Sequence, residues 1–161
     1  MAAPARRIRV LMVCLGNICR SPTAEAMLRR KVHEAGLADR IEVDSAGTAD
    51  YHVDSPPDRR AVAHGARRGL EMTHLRGRQV ERADFDRFDI VLAMDEDNLM
   101  NLERIRPPGS RAKLALLMSY APQAGSREVP DPYHGGAQAF ERVLDLTAAA
   151  ADGLILALRP D

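Results

Sequence analysis

Cysteine, an excess of charge of one sign and long apolar runs are scarce or absent in this chain, and each scarcity excludes a class of protein. Only two cysteines, Cys14 and Cys19, occur among 161 residues, too few for a disulfide scaffold or a four-thiolate zinc site. Basic and acidic residues balance at 23 each, so bulk charge gives no support for a nucleic-acid or membrane-surface partner. No stretch approaches transmembrane length.

What remains is the composition of a globular protein. Apolar residues make up 45% of the chain, and its length suits one domain, 1–161, with a proper core. The apolar run near the start is too short for a secretory signal, and Arg9 interrupts it. These features predict a cytoplasmic protein whose thiols stay reduced.

Apolar runs alternate with helical patterns from end to end. Strands are predicted at 8–13, 41–45, 88–94 and 112–118, and helices at 22–35, 58–68, 95–106 and 137–158. This alternation predicts an α/β fold, a four-stranded parallel sheet with helices on both faces. Ligands of such sheets bind at the carboxyl ends of the strands.

The end of the first strand carries the most informative segment. Cys14 stands where the apolar run stops, and Gly16 and Asn17 tolerate the positive φ of a tight loop. Ser21 is then predicted to cap a helix, with Pro22 at its first position. The order is strand, cysteine-bearing loop and helix.

This order gathers backbone N–H groups and a helix N-terminus around one point. Such a site stabilises a dianion and, by the same field, a thiolate at Cys14. Arg20 carries a planar guanidinium that can chelate two oxygens of a phosphate. Ser21 is placed to donate a hydrogen bond to the sulfur. The segment therefore indicates a cysteine that attacks a phosphate ester.

The stretch C-L-G-N-I-C-R-S-P resembles the signature loop of the low-molecular-weight protein tyrosine phosphatases. The resemblance implies a phosphotyrosine protein phosphatase I-like fold, a phosphocysteine intermediate, and neither metal nor cofactor. Its phosphate-binding loop would comprise Leu15, Gly16, Asn17, Ile18, Cys19 and Ser21.

A second motif, V-P-D-P-Y-H, lies near the other end of the chain. Prolines on both sides stiffen the position of Asp131. The motif resembles the D-P-Y acid motif of the same family. The resemblance implies that Asp131 protonates the leaving oxygen and then activates water.

The resemblance also implies supporting and pocket residues. Ser45 and His74 would hold Asn17 in a strained left-handed conformation. The walls of the substrate pocket would come from Leu15, Ile18, Tyr51, Tyr133 and His134. Relatives that act on phosphoarginine look to have a threonine where Ile18 stands, so Ile18 favours phosphotyrosine. Cys19 would form a reversible disulfide with Cys14 that protects it from over-oxidation.

Three other functions compete with this interpretation. An arsenate reductase on the same fold would fit the loop, but the thioredoxin-coupled type needs further downstream cysteines, and none follows Cys19. A silent phosphate-binding module would not need all the reactive groups. A zinc protein would need a ligand spacing that the histidines lack. The expected partners are phosphotyrosine-containing proteins, with the chain acting as a monomer.

Overall fold

A parallel sheet of four strands organises the fold. The computed structural model describes residues 6–159, so the two ends of the predicted domain, 1–5 and 160–161, lie outside the described residues. The strands are β1 (Ile8–Cys14), β2 (Ile41–Gly47), β3 (Ile90–Ala93) and β4 (Lys113–Leu116). All pairs are parallel and the order is β2-β1-β3-β4. The predicted fold class is confirmed.

Helices cover both faces of the sheet. They are α1 (Arg20–Glu34), α2 (Arg59–Arg67), α3 (Asp84–Arg87), α4 (Glu96–Ile105) and α5 (Ala137–Leu158). Alternate residues of β1 divide the core: Val10 and Met12 pack on the side of α1 and α5, whereas Leu11 and Val13 pack on the side of α3 and α4. This division follows from the two-residue period of a strand buried on both faces. No helix in the described part of the chain combines the length and the apolar character that a membrane crossing requires.

The fourth strand is shorter than the sequence predicts. The strand ends at Leu116, two residues before the predicted end. A 3₁₀ turn over Leu117–Tyr120 follows it. The hydroxyl of Ser119 donates to the carbonyl of Leu116 (2.7 Å) and so occupies the last strand acceptor. The turn packs closely on α5, where a Cβ at Gly153 would lie 1.8 Å from the Tyr120 carbonyl oxygen. Tertiary packing therefore overrides the apolar pattern here.

The second helix also starts differently from the prediction. Asp58 is its N-cap and accepts a hydrogen bond from the backbone N–H of Arg60 (2.8 Å). In the loop before the helix, the backbone N–H of Ser55 donates to the carbonyl of His52 (3.0 Å), and the carbonyl of Ser55 accepts from the N–H of Gly77 (2.8 Å). The backbone N–H of Asp58 donates to the carbonyl of Ile18 (2.8 Å), and this bond fastens the start of α2 to the loop after β1.

Candidate active site

The sulfur of Cys14 lies at the carboxyl end of β1, where the chain turns into α1. Its side chain is buried, with 3% of the residue exposed. The sulfur accepts hydrogen bonds from the backbone N–H groups of Asn17 (3.3 Å) and Ser21 (3.4 Å). The amides and the N-terminus of α1 therefore converge on the sulfur and stabilise negative charge there.

Ser21 is not the helix cap that its position in the sequence suggests. The helix begins at Arg20, and the Cys19 position before it makes no side-chain cap. The Ser21 hydroxyl accepts from the Asn17 side-chain amide (2.8 Å) and lies 3.0 Å from the Cys14 sulfur. A thiolate only accepts, so the single hydroxyl hydrogen of Ser21 is donated to the sulfur, with the carbonyl of Ala46 (3.4 Å) as a longer alternative acceptor. Ser21 is not the cap because it lies inside the first turn of the helix.

Asn17 holds the loop in its shape. Its φ is 57°, in the left-handed region, and the residue is buried. Its side-chain amide also donates to the Ser45 hydroxyl (3.0 Å), and its Oδ1 accepts from the backbone N–H of Arg78 (3.0 Å). The Ser45 hydroxyl in turn donates to Glu25 Oε1 (2.6 Å). The predicted support from Ser45 is present in this network.

The predicted support from His74 is wrong. His74 is exposed, and all three hydrogen bonds of the Asn17 side chain go to other residues. The turn after His74 brings the backbone of Arg78, rather than the imidazole, against the loop. His74 instead lines a separate cavity of about 900 Å³ beside β2. The Arg29 guanidinium in that cavity is already paired with Glu25.

Arg20 is buried and held from two sides. Its Nη1 donates to Asp95 Oδ2 (2.5 Å) and to the carbonyl of Val129 (3.1 Å), while its Nη2 lies 3.8 Å from Asp131 Oδ2. Burial opposes the charge of the guanidinium, but the negative charges of Cys14, Asp95 and Asp131 outweigh burial and raise the pKa of Arg20. Arg20 is therefore a fixed cation beside the sulfur.

Asp131 reaches the site on a loop that is anchored to the sheet. The backbone N–H of Val129 donates to the carbonyl of Met94 (2.8 Å), just after β3. Asp131 Oδ1 accepts from the backbone N–H of Tyr133 (3.0 Å), and its side chain is 47% exposed. The carboxyl thus lies at the mouth of the site, open to a leaving group and to water.

A cavity of about 340 Å³ opens above the sulfur. The sequence-predicted residues that line it are Cys14, Leu15, Gly16, Ile18, Cys19, Arg20, Tyr51, Asp131, Tyr133 and His134. His52 lines it as well and was missed by sequence reasoning. A Cβ at position 16 would lie 3.1 Å from His52 Cδ2, so Gly16 admits the imidazole against the loop. The position next to Tyr51 was the available signal.

Two acidic groups of the site, Asp95 and Glu25, were also missed. Asp95 follows the apolar run of β3, at the edge of the sheet where ligands bind, and this position could have identified it. Glu25 is a buried carboxyl on α1. Its burial raises its pKa, although Ser45 and Arg29 oppose the shift.

Cys19 lies in surroundings that disfavour a thiolate. Its thiol is buried at the end of the phosphate-binding loop. Burial, with the nearby charges of Asp58, Cys14 and Asp131, raises the pKa of Cys19 to about 12. Cys19 is therefore a neutral thiol at physiological pH, which leaves Cys14 as the candidate nucleophile of the two.

The fold and the loop define a class of protein that holds a tetrahedral oxyanion between a cysteine and an arginine. Comparison with known proteins agrees with this class. The family model of the low molecular weight phosphotyrosine protein phosphatases matches residues 9–161. A low molecular weight protein-tyrosine-phosphatase of Streptomyces coelicolor is 44% identical over 154 residues, which cover 94% of this chain and 93% of that protein.

Solved structures give the same result. A protein tyrosine phosphatase from Entamoeba histolytica has a TM-score of 0.90 at 38% identity, covering 94% of this chain and 96% of that chain. The Drosophila arginine phosphatase has a TM-score of 0.89 at 33% identity, and the match covers 96% of this chain and 99% of that chain. The chain belongs to the low molecular weight phosphotyrosine protein phosphatase family, whose members are hydrolases.

Proposed function

We propose that this chain hydrolyses phosphotyrosine in two steps through a phosphocysteine intermediate. The observation that carries the proposal is the sulfur of Cys14, which accepts two backbone N–H bonds within the cavity that Arg20 and Asp131 also line. In the first step the Cys14 thiolate attacks phosphorus and the phenolate oxygen leaves with a proton from Asp131. In the second step Asp131 takes a proton from water, which attacks phosphorus and releases Cys14 as a thiolate.

The other groups act on charge and position. Arg20 binds two oxygens of the phosphoryl group and stabilises the charge of the transition state. The Ser21 hydroxyl stabilises the Cys14 thiolate as the leaving group of the second step. The side chains of Asn17 and Ser45 are positioning groups, because their hydrogen bonds hold the shape of the loop.

The pocket walls favour an aryl phosphate. Tyr51 and Tyr133 lie on two different loops and both line the cavity, where they can flank an aromatic ring. Ile18 adds an apolar wall. We further propose that the substrates are phosphotyrosine-containing proteins and that the chain acts as a monomer in the cytoplasm, where Cys14 stays reduced. The named activity of the Drosophila relative makes phosphoarginine the second substrate to assay.

The test is hydrolysis of an aryl phosphate, in chelator and reductant, by the wild type and two variants. We expect no detectable activity for Cys14→Ser, and a loss of turnover of about a hundredfold or more for Asp131→Asn on a substrate with a poor leaving group. Thermal melts establish that both variants fold. An inactive wild type or an active Cys14→Ser variant would overturn the phosphocysteine mechanism. An inactive wild type would favour arsenate reduction or binding without catalysis.

A further inference from the structure

A second cavity adjoins the active site, between the phosphate-binding loop and the first turns of α4. Its volume is about 500 Å³. It shares Leu15, Arg20 and Asp131 with the cavity above the sulfur. This second cavity is called the α4 cavity. The rest of its lining comes from Asp95, Asp97, Asn98, Met100, Asn101 and Arg104. A peptide whose phosphotyrosine enters the active site therefore passes next to the α4 cavity.

The charges that line the α4 cavity do not balance. Three carboxylates, those of Asp95, Asp97 and Asp131, face two guanidiniums. Arg20 is bound to Asp95 (2.5 Å), and Arg104 donates to Asn101 Oδ1 (3.1 Å). Asp97 is exposed and forms no ion pair within residues 6–159. The lining therefore carries one net negative charge, and Asp97 is the carboxylate available to a cation from outside.

Asn98 supplies a second, independent observation. The residue is 2% exposed and lines the same cavity. Its backbone N–H donates to Asp95 Oδ1 (2.8 Å), but its side-chain Oδ1 has no hydrogen-bond partner in the described part of the chain. A buried amide oxygen without a donor costs free energy. A ligand that carries N–H groups into the cavity would relieve this cost.

The rim of the α4 cavity is apolar. Leu15 and Met100 lie at the rim with 41% and 51% of their surface exposed. Arginine and lysine side chains pack their aliphatic stems on such surfaces and extend their charged ends beyond them. An apolar rim with a carboxylate and an unpartnered acceptor inside matches that chemistry.

We propose that the α4 cavity is a specificity subsite that receives an arginine or lysine flanking the phosphotyrosine of the substrate protein. Asp97 pairs with the cation, and the Asn98 amide accepts one of its N–H groups. The inference rests on the proposed phosphotyrosine hydrolysis, since a flanking residue has meaning only for a bound phosphopeptide.

The test measures kcat/KM on phosphotyrosine peptides that differ at single flanking positions, with arginine, glutamine or glutamate. For the wild type we expect about a fivefold preference for arginine over glutamine at the position that reaches the cavity, the size of an exposed ion pair. Asp97→Asn should bring this ratio close to one, and Asp97→Lys should invert the preference toward glutamate. Neither variant should change hydrolysis of a small aryl phosphate.

Asp39→Lys is the matched control. Asp39 is exposed in the turn before β2, at the amino end of the sheet, away from the site. It changes the net charge as Asp97→Lys does and should leave the peptide preference intact. Equal effects of the two lysine variants, or a wild type indifferent to the flanking charge, would overturn the subsite alone. A wild type inactive on the small aryl phosphate would overturn the proposed function, and the subsite with it.

Discussion

Asn17 shows how much of the site depends on one residue. It combines a positive φ with three side-chain hydrogen bonds, to Ser21, Ser45 and the backbone of Arg78. The conformation alone would suit glycine. The hydrogen bonds require the amide, because it is the short side chain that donates and accepts at once and still tolerates the left-handed region.

Replacing Asn17 separates the conformation from the hydrogen bonds. Asn17→Gly keeps the positive φ and loses the bonds, so we expect a loss of about 1–3 kcal/mol in the free energy of unfolding and at least a tenfold fall in kcat/KM. Asn17→Ala should lose about 1 kcal/mol more, from left-handed strain. Urea unfolding and aryl phosphate hydrolysis measure these effects. Asp54→Gly, at the other non-glycine residue of positive φ within 6–159, is the control and should keep its activity.

Cys14 and Cys19 are expected to differ in reactivity. With a pKa of about 12, Cys19 is a neutral thiol at pH 7, and neutral thiols alkylate slowly. Iodoacetamide at pH 7 should therefore label Cys14 and leave Cys19 unmodified, as peptide mass spectrometry would report. Inorganic phosphate should protect Cys14 by occupying the loop. Labelling of Cys19 first, in the folded protein, would contradict this account.

At the scale of elements, α4 joins its own stability to the site. Asp95, its N-cap, uses one carboxylate oxygen for the backbone N–H of Asn98 (2.8 Å) and the other for Arg20 (2.5 Å). The bond to Arg20 links α4 to the first turn of α1 across the edge of the sheet. Capping and positioning of the arginine are therefore two roles of one side chain.

Two substitutions at Asp95 distinguish these roles. Asp95→Ser keeps a capping oxygen but loses the bond to Arg20, whereas Asp95→Ala loses both. We expect about a tenfold fall in kcat/KM for either variant, since a bond to a charged group is removed. The free energy of unfolding of the alanine variant should be about 1 kcal/mol lower than that of the serine variant, because the cap is missing. Full activity of the serine variant would show that Arg20 holds its position without Asp95.

At the scale of the whole molecule, Glu25 couples stability to pH. Its pKa is raised above the ordinary 4.5, mainly by burial. Below pH 4.5 the carboxyl is protonated in the folded and the unfolded chain alike. As the pH rises past that value, the unfolded chain ionises first, so ionisation favours unfolding until the pH exceeds the raised pKa.

Glu25→Gln removes this titration and keeps an oxygen that can accept from Ser45. The wild type should lose free energy of unfolding as the pH rises from 4.5 to the raised pKa of Glu25, and the variant should lose less. Urea midpoints of the two proteins are measured from pH 4 to pH 8. The difference between the two midpoints should change across this window. A difference independent of pH would contradict the assigned role.

Local patterns were sufficient for the order of elements and for two residues of the site, Cys14 and Arg20. Apolar runs and their Gly and Pro boundaries predicted the four strands and the α/β fold, because burial on both faces makes such runs continuous. Cys14 and Arg20 were identifiable because one short loop carries both. Asp131 needed the resemblance of its D-P-Y motif to the family, since Asp-Pro is also ordinary turn chemistry. Their catalytic roles stay a proposal.

The tertiary structure decided what sequence spacing does not encode. The partner of Arg20 is 75 residues away, and the amide that holds Asn17 is 61 residues away. Which group meets the loop depends on how the turn after His74 folds back, so the imidazole was a wrong choice. The end of β4 likewise depends on α5, where Gly153 makes room for the Tyr120 carbonyl. Local sequence determines elements through burial and turn chemistry, whereas contacts between distant segments form only when those elements pack.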